Sequence, residues 1–402
     1  MKRFISLLLT VILFELMVGG GGRLTAWGSV SLRMILFGVA LFIAGIQIFR
    51  KQKIPVEYWF ISILFGIMLI IGLVRGIAMG ASRAYWWEDV KPLLYFFILP
   101  FFGYAIRERS TVEQIVSIIK QSGIILSCAF IFVLILVHTS VIPFLDFGNT
   151  VIGTQEFFFR GEITFFYKGF IYICIAFLFI HLTGHRYKHF MLILLAVGIL
   201  LSVTRGFIFA IALTYGSYYL LKSSFTRSVI FVALSILIVV IGQVVITQSS
   251  KALDHLKNQQ QNVHPEEITP NPNLFGNKSY SDEGRFQQLK EVAGQTNLSS
   301  VFIGHGFGNG IPSRPIHMEI SYLEIFHKQG LLGLLFWTYL LWLLYKKYRK
   351  ATPGGMRDAF FFGSLFIYFQ SITNQYLNNP IGLSLVLLSL VCLDQLKKED
   401  RE

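Results

Sequence analysis

Four residues of this chain combine a reactive type with a telling position: Arg205, Arg285, Glu319 and His317. Arg205 follows Ser202-Val203-Thr204 and precedes Gly206-Phe207, between two apolar runs with almost no turn separating them. That sets it at the end of an apolar span. An arginine in hydrocarbon costs about 2.5–3.5 kcal/mol, so it either finds an anionic partner or snorkels its head group to the surface. Arg285, on a polar stretch, reads singly as a surface charge. Together, two guanidiniums suit a pyrophosphate, because the planar fork binds phosphate oxygens two at a time. Glu319 stands where the polar stretch returns to apolar sequence. Partial desolvation there would raise its carboxyl into the range of a general base. His317, two residues earlier, is a second base. Arg160, beside Phe157-Phe158-Phe159, is placed to touch lipid phosphates, and Tyr322 joins it as a substrate contact.

Other candidates carry less. His255, His264 and His305 read as exposed loop histidines. Gly304-His305-Gly306-Phe307-Gly308-Asn309-Gly310 resembles a phosphate-cradling loop, but no Lys-Ser/Thr follows it and no strand–helix unit surrounds it. It reads as a tight turn shaping a site. Cys128, Cys174 and Cys392 lie in apolar runs and have no metal-binding spacing, so no metal is expected. Glu15 and Lys120 sit inside apolar spans, where charges are expensive.

The elements that must position these residues are apolar helices. Of 402 residues, 54% are hydrophobic and 14% charged, and mean hydropathy is +0.61, more apolar surface than a soluble chain can hide. The sequence predicts an all-α integral membrane protein of about 12 transmembrane helices, near 4–18, 31–49, 59–76, 91–106, 116–138, 168–183, 189–203, 205–221, 228–247, 328–345, 358–374 and 379–395. Met1-Lys2-Arg3 and the apolar run after it could be a signal peptide, but read better as an uncleaved first helix. With the N-terminus inside, the inner connections hold 19 of the 35 Lys and Arg, as the positive-inside rule requires. This pattern uses the net charge of +13, which therefore does not point to nucleic acid. Both termini are then cytoplasmic, and a large loop at about 247–317, between helices 9 and 10, lies outside.

The chain divides into 1–247 with nine helices, 248–318 as the loop with short helices, and 319–402 with three helices and a tail. Within the loop, Gln259 to Asn277 reads as mobile. Ser281 to Val292 reads as a helix opened by Ser281, with Asp282 and Glu283 in its first turn. Ala84-Tyr85-Trp86-Trp87 reads as an aromatic belt, and Thr139 to Tyr167 as a loop lying in the interface.

This layout, with Thr204-Arg205-Gly206, an Arg285-bearing loop helix, the Gly304-to-Gly308 turn and Gly330-Leu331-Leu332-Gly333, resembles the O-antigen polymerase (Wzy-type) and O-antigen ligase superfamily of bacterial membrane glycosyltransferases. The motif-bearing match covers about residues 160–345. In the ligases a histidine stands eleven residues before the Gly-x-x-Gly. Here that position is Glu319, which fits the polymerases better.

The resemblance implies a multi-pass enzyme of the bacterial inner (cytoplasmic) membrane, GT-C-like, metal-independent and without cofactor. It would polymerise undecaprenyl-pyrophosphate-linked oligosaccharide repeat units into surface polysaccharide at the periplasmic face. Its alternative is ligation of the finished chain to lipid A–core. Glu319 would be the base, with His317 as its rival, and Arg205 and Arg285 would hold the pyrophosphate. Implied partners are the lipid-linked oligosaccharide, membrane lipids and a chain-length regulator. Transport is disfavoured, since the polar groups gather on one face and the halves show no relation.

Overall fold

The apolar runs become helices. A computed structural model of the protein describes residues 2–27, 30–49, 54–160, 164–222, 229 and 278–397. In chain order the helices are α1 (Lys2–Val18), α2 (Leu32–Phe49), α3 (Val56–Ala78), α4 (Arg83–Leu93), α5 (Leu99–Ala105), α6 (Arg109–His138), α7 (Phe144–Ile152), α8 (Ile171–Thr183), α9 (Lys188–Leu201), α10 (Arg205–Lys222), α11 (Lys278–Gln295), α12 (Leu298–Ile303), α13 (Ser321–Lys350), α14 (Gly355–Gln370) and α15 (Pro380–Gln395). Two antiparallel hairpins join them: β1 (Ala26–Trp27) with β2 (Val30–Ser31), and β3 (Phe157–Arg160) with β4 (Thr164–Tyr167).

Each expected span coincides with a helix, with two exceptions. The stretch 228–247 lies, apart from residue 229, outside the described residues, as do the domain boundary at 247, the Gln259-to-Asn277 lobe, His255 and His264. The stretch 91–106 is broken into the end of α4, a 3-10 turn at Leu94–Ile98, and α5. Pro92 and Pro100 explain the break, because a proline removes a backbone donor and crowds the preceding turn.

The helix ends also depart from the sequence reading. The Arg285 helix begins at Lys278, so Ser281 and its acids stand inside it and not at its cap. The helix after the loop begins at Ser321, so Glu319 precedes it. Thr139 to Tyr167 is not a loose loop but α7 and the β3–β4 hairpin, clustered through Phe147, Phe157, Phe159 and Phe165.

α8 and α15 form the centre. Residues 381–393 of α15 are all buried, as a helix apolar on every side must be. α6 crosses α8 at Gly123, where a Cβ would lie 2.2 Å from that of Ala176, so the missing side chain allows the approach. Among the described residues two helices, α3 and α6, are long and apolar enough to cross a membrane. The outer face of α3 is an apolar stripe of Phe60, Ile63, Ile67, Ile70 and Val74, each more than half exposed. Such a stripe suits hydrocarbon, not water.

The polar contacts gather at two opposite ends of the bundle. At one, Lys347 of α13 pairs with Glu57 of α3 (2.8 Å) and with Asp394 of α15, and Lys222 pairs with Asp358. At the other, Arg33 of α2 clasps Glu15 of α1 (Nε to Oε2, 2.8 Å). Glu15 is thereby a structural partner. Lys120 is one as well, donating to the Gly184 carbonyl at 2.6 Å.

Candidate active site

At the Arg33 end, α4, residues 317–328 and residues 375–378 bring together a polar cluster, buried except at His317. α4 supplies Asp89. Ser82 caps this helix by accepting from Tyr85 N–H. The turn before α13 supplies His317, and the first turns of α13 supply Glu324 and Lys328, four residues apart and hence on one face.

The glycine turn fixes these segments against one another. The Gly330 backbone, at φ +65°, interrupts α13, and carbonyls at a helix break lack partners within the helix. Here His327 O and Lys328 O accept from His305 N–H (2.8 Å) and Gly306 N–H (3.0 Å). Phe307 N–H reaches Gly72 O of α3 at 3.0 Å, and Gly308 N–H donates to Asp89 Oδ2 at 2.7 Å. Gly306 has φ +82°, and a Cβ there would sit 2.1 Å from Gly76 N. The turn therefore spends its N–H groups on the protein. It is a joint between α3, α4 and α13, not a phosphate cradle.

The Lys328 ammonium, 2% exposed, donates to Asp89 Oδ1 (2.7 Å), to Glu324 Oε1 (2.6 Å) and to Ile316 O. Glu324 Oε2 accepts from Asn378 Nδ2 at 2.9 Å and from the Gln375 amide. His317 Nδ1 lies 3.4 Å from Glu324 Oε1 and 3.6 Å from Asp89 Oδ1. Burial pushes the Glu324 carboxyl up, but the Lys328 ammonium and the His317 contact outweigh it and hold it at about 2. Asp89 goes the other way. Burial, helped by the charge on Glu324, raises it against the pull of Lys328. The ligand atoms of Asp89, His317 and Glu324 lie within 4.8 Å of one another, a spacing a metal ion could use, but the Lys328 ammonium already stands between the two carboxylates.

This cluster forms one wall of an open cavity of about 710 Å³. The same cavity is also lined by Arg23, Arg33, Lys91 and Lys168, together with Glu88 and Glu156. Arg33 is committed to Glu15 and Gly20 O, and Glu156 to the backbone N–H groups of Gly21 and Arg23. The ion pairs found among the described residues include neither Lys91 nor Lys168.

Of the residues expected from sequence, His317 lines this cavity, whereas Arg205, Arg285, Glu319 and Tyr322 do not. Glu319 is held between Arg285 Nε (3.1 Å) and Arg314 Nη2 (2.7 Å), with its side chain 25% exposed. The desolvated carboxylate is instead Glu324, 5% exposed. Arg285 thus meets Glu319 itself. Its helix α11 is seated by Val292 against Ile311 and Met318, and by Gln288 Oε1 accepting from Glu319 N–H (3.0 Å). Arg205 opens α10 after a tight turn that forces Val203 to φ +50°. Gly206 packs beside Thr373 and Asn374, in the turn that carries Gln375 and Asn378. Tyr322 Oη donates to Tyr368 O at 2.8 Å. Arg160 pairs with Thr164 at the hairpin's end, and its side chain lies outside the described residues.

A family model described as O-antigen ligase matches residues 190–338. The O-antigen polymerase of Shigella flexneri is 25% identical over 398 residues, covering 96% of this chain and 94% of its own. The chain is thus similar to the O-antigen ligase family over residues 190–338 and to an O-antigen polymerase over nearly its whole length. The matched segment 190–338 carries His317, Glu324 and Lys328, whereas Asp89, Gln375 and Asn378 come from outside it.

Sequence reading missed Asp89, Glu324, Lys328, Gln375 and Asn378. Signals were present: a Glu-x-x-x-Lys pair entering an apolar helix, an acid beside the Trp86-Trp87 pair, and the polar run Asn374-Gln375-Tyr376-Leu377-Asn378-Asn379 between two apolar helices.

Proposed function

We propose that this protein polymerises oligosaccharide repeat units carried on undecaprenyl pyrophosphate, at the outer face of the bacterial inner membrane. The observation that carries this reading is the cavity, whose lining holds a histidine backed by buried carboxylates together with several basic side chains. Resemblance to an O-antigen polymerase along nearly the whole chain supports it.

In the reaction a sugar hydroxyl of the acceptor attacks the anomeric carbon of the donor. The bond from that carbon to the phosphate oxygen breaks, a glycosidic bond forms with inversion, and the hydroxyl proton passes to the base. The diphosphate leaves on its lipid. His317, at the cavity wall, is the better placed base. Lys91, Lys168 and Arg23 face the leaving diphosphate and offset its charge, the role a metal fills in other transferases. Arg285 then serves to hold Glu319. Arg205, beside the turn that carries Gln375 and Asn378, keeps a proposed role toward the lipid carrier. The rest of the sequence reading belongs to this proposal: twelve spans, both termini inside, and a chain-length regulator as partner.

His317→Ala and Glu319→Gln, expressed at normal level in a strain lacking the native gene, test the base. Loss of long polysaccharide with His317→Ala and its retention with Glu319→Gln is expected, since removing a general base costs about 10²–10⁴-fold. Wild-type ladders from His317→Ala would overturn the assignment.

Ligation is the second reading, favoured by the description of the family model over residues 190–338. A deletion strain separates the two. Single repeats remain on the lipid A–core when a polymerase is lost, and none remain when a ligase is lost.

A further inference from the structure

The groups behind His317 do more than fill space. Two carboxylates and one ammonium, all nearly inaccessible, leave one uncompensated negative charge when the acids are ionised. Both Asp89 oxygens already accept hydrogen bonds, Oδ1 from Lys328 and Oδ2 from Gly308 N–H. Both Glu324 oxygens do so too, from Lys328 on one and from Gln375 and Asn378 on the other. Such acceptors favour carboxylates over carboxylic acids. A lone buried charge is costly unless something neutralises it. The one further titratable group within reach among the described residues is His317, whose Nδ1 approaches an oxygen of each acid.

We infer that Glu324 and Asp89, with Lys328 between them, are positioning residues for His317: they fix the Nδ1 side of its ring and receive the imidazolium that forms when the acceptor hydroxyl gives up its proton. This rests on the reading of His317 as the base. A Nδ1–H directed at the carboxylates leaves Nε2 unprotonated to take the hydroxyl proton, and on protonation the cluster goes from one net negative charge to neutral. Nothing beyond acceptor and donor is consumed, and the proton leaves later to solvent. Lys328 prevents two bare carboxylates from facing one another. Gln375 and Asn378 hold the far oxygen of Glu324, so its near oxygen stays turned to the ring. Arg285 and Arg314 do not enter this arrangement, because Glu319 engages both.

Purified protein in nanodiscs would be assayed with lipid-linked repeat units extracted from a strain lacking the polymerase. Glu324→Gln and Asp89→Asn are each expected to reduce kcat by about 10²-fold and leave KM for the lipid-linked unit near wild type. Glu324→Asp should restore part of kcat. In a His317→Gln background, Glu324→Gln should cost little more, because it acts through the lost ring.

A loss that falls on KM with kcat unchanged, or full additivity with His317→Gln, would overturn the inference while leaving His317 as the base. Wild-type activity in His317→Gln alone would instead remove the base assignment. Should Glu324→Gln fail to accumulate, Asp89→Asn and Glu324→Asp carry the same comparison.

Discussion

Lys328 is the residue whose removal has the largest expected consequence. Its ammonium separates two buried carboxylates, and breaking a buried pair by deleting one partner typically costs about 3–5 kcal/mol. Lys328→Met should therefore unfold at a clearly lower temperature in detergent, as followed by intrinsic fluorescence. Glu324 adds a pH signature. Its carboxyl is held at about 2 in the folded protein, below its ordinary value, so its contribution to stability is present above that ordinary value and fades as pH falls toward about 2. Unfolding temperatures between pH 5 and pH 2 should decline more shallowly in Glu324→Gln than in wild type. Legibility at this scale was partial. His317 could be found because a histidine at a loop-to-helix return is visible in the sequence. Glu324 could not, because its burial depends on Asn378 and Asp89, which approach only in three dimensions. Glu319 misled for a related reason: its position promised desolvation, but Arg285 and Arg314 arrive from elsewhere to surround it.

Among the elements, the glycine turn bears the most. Gly306→Ala would add a Cβ 2.1 Å from Gly76 N at a backbone angle that side chains rarely adopt. The turn would have to leave α3, taking the Gly308 N–H away from Asp89. Loss of long polysaccharide together with a lowered unfolding temperature is expected, whereas Gly284→Ala, with nothing within 4 Å, should leave both unchanged. The sequence displays the glycines but not what they approach, since α3 lies more than two hundred residues upstream. Helices were easier to read than their interruptions. The long apolar runs of α3 and α6 identify themselves, whereas 91–106 reads as one span from its apolar composition and is broken at Pro92 and Pro100.

For the molecule as a whole, the pattern of Lys and Arg leads one to expect the Lys347 end inside the cell. Lys347, Glu57 and Asp394 meet at one end, and the cavity opens toward the other. In a variant without native cysteines, Gly294→Cys should react with a membrane-impermeant thiol reagent added outside intact spheroplasts. Gly354→Cys should react only after permeabilisation. The reverse result would place the cavity inside the cell and remove the proposed lipid-linked substrate from its reach. Neither glycine has any atom within 4 Å of an added Cβ, so the substitutions test sidedness without disturbing packing. A class of enzyme was legible from layout and scattered motifs, but the location of its chemistry was not. The motifs mark the joints, and the groups they join are common residues in ordinary surroundings.

The ion pair between Asp89 and Lys328 spans 239 residues of chain. At ordinary ribosomal speeds of about 5–20 residues per second, about 10–50 seconds separate the two. Through that interval Asp89 has entered or neared the bilayer without the cation that neutralises it. A product truncated before Lys328 keeps Asp89 without its cationic partner, and the amides that hold Glu324, those of Gln375 and Asn378, are made later still.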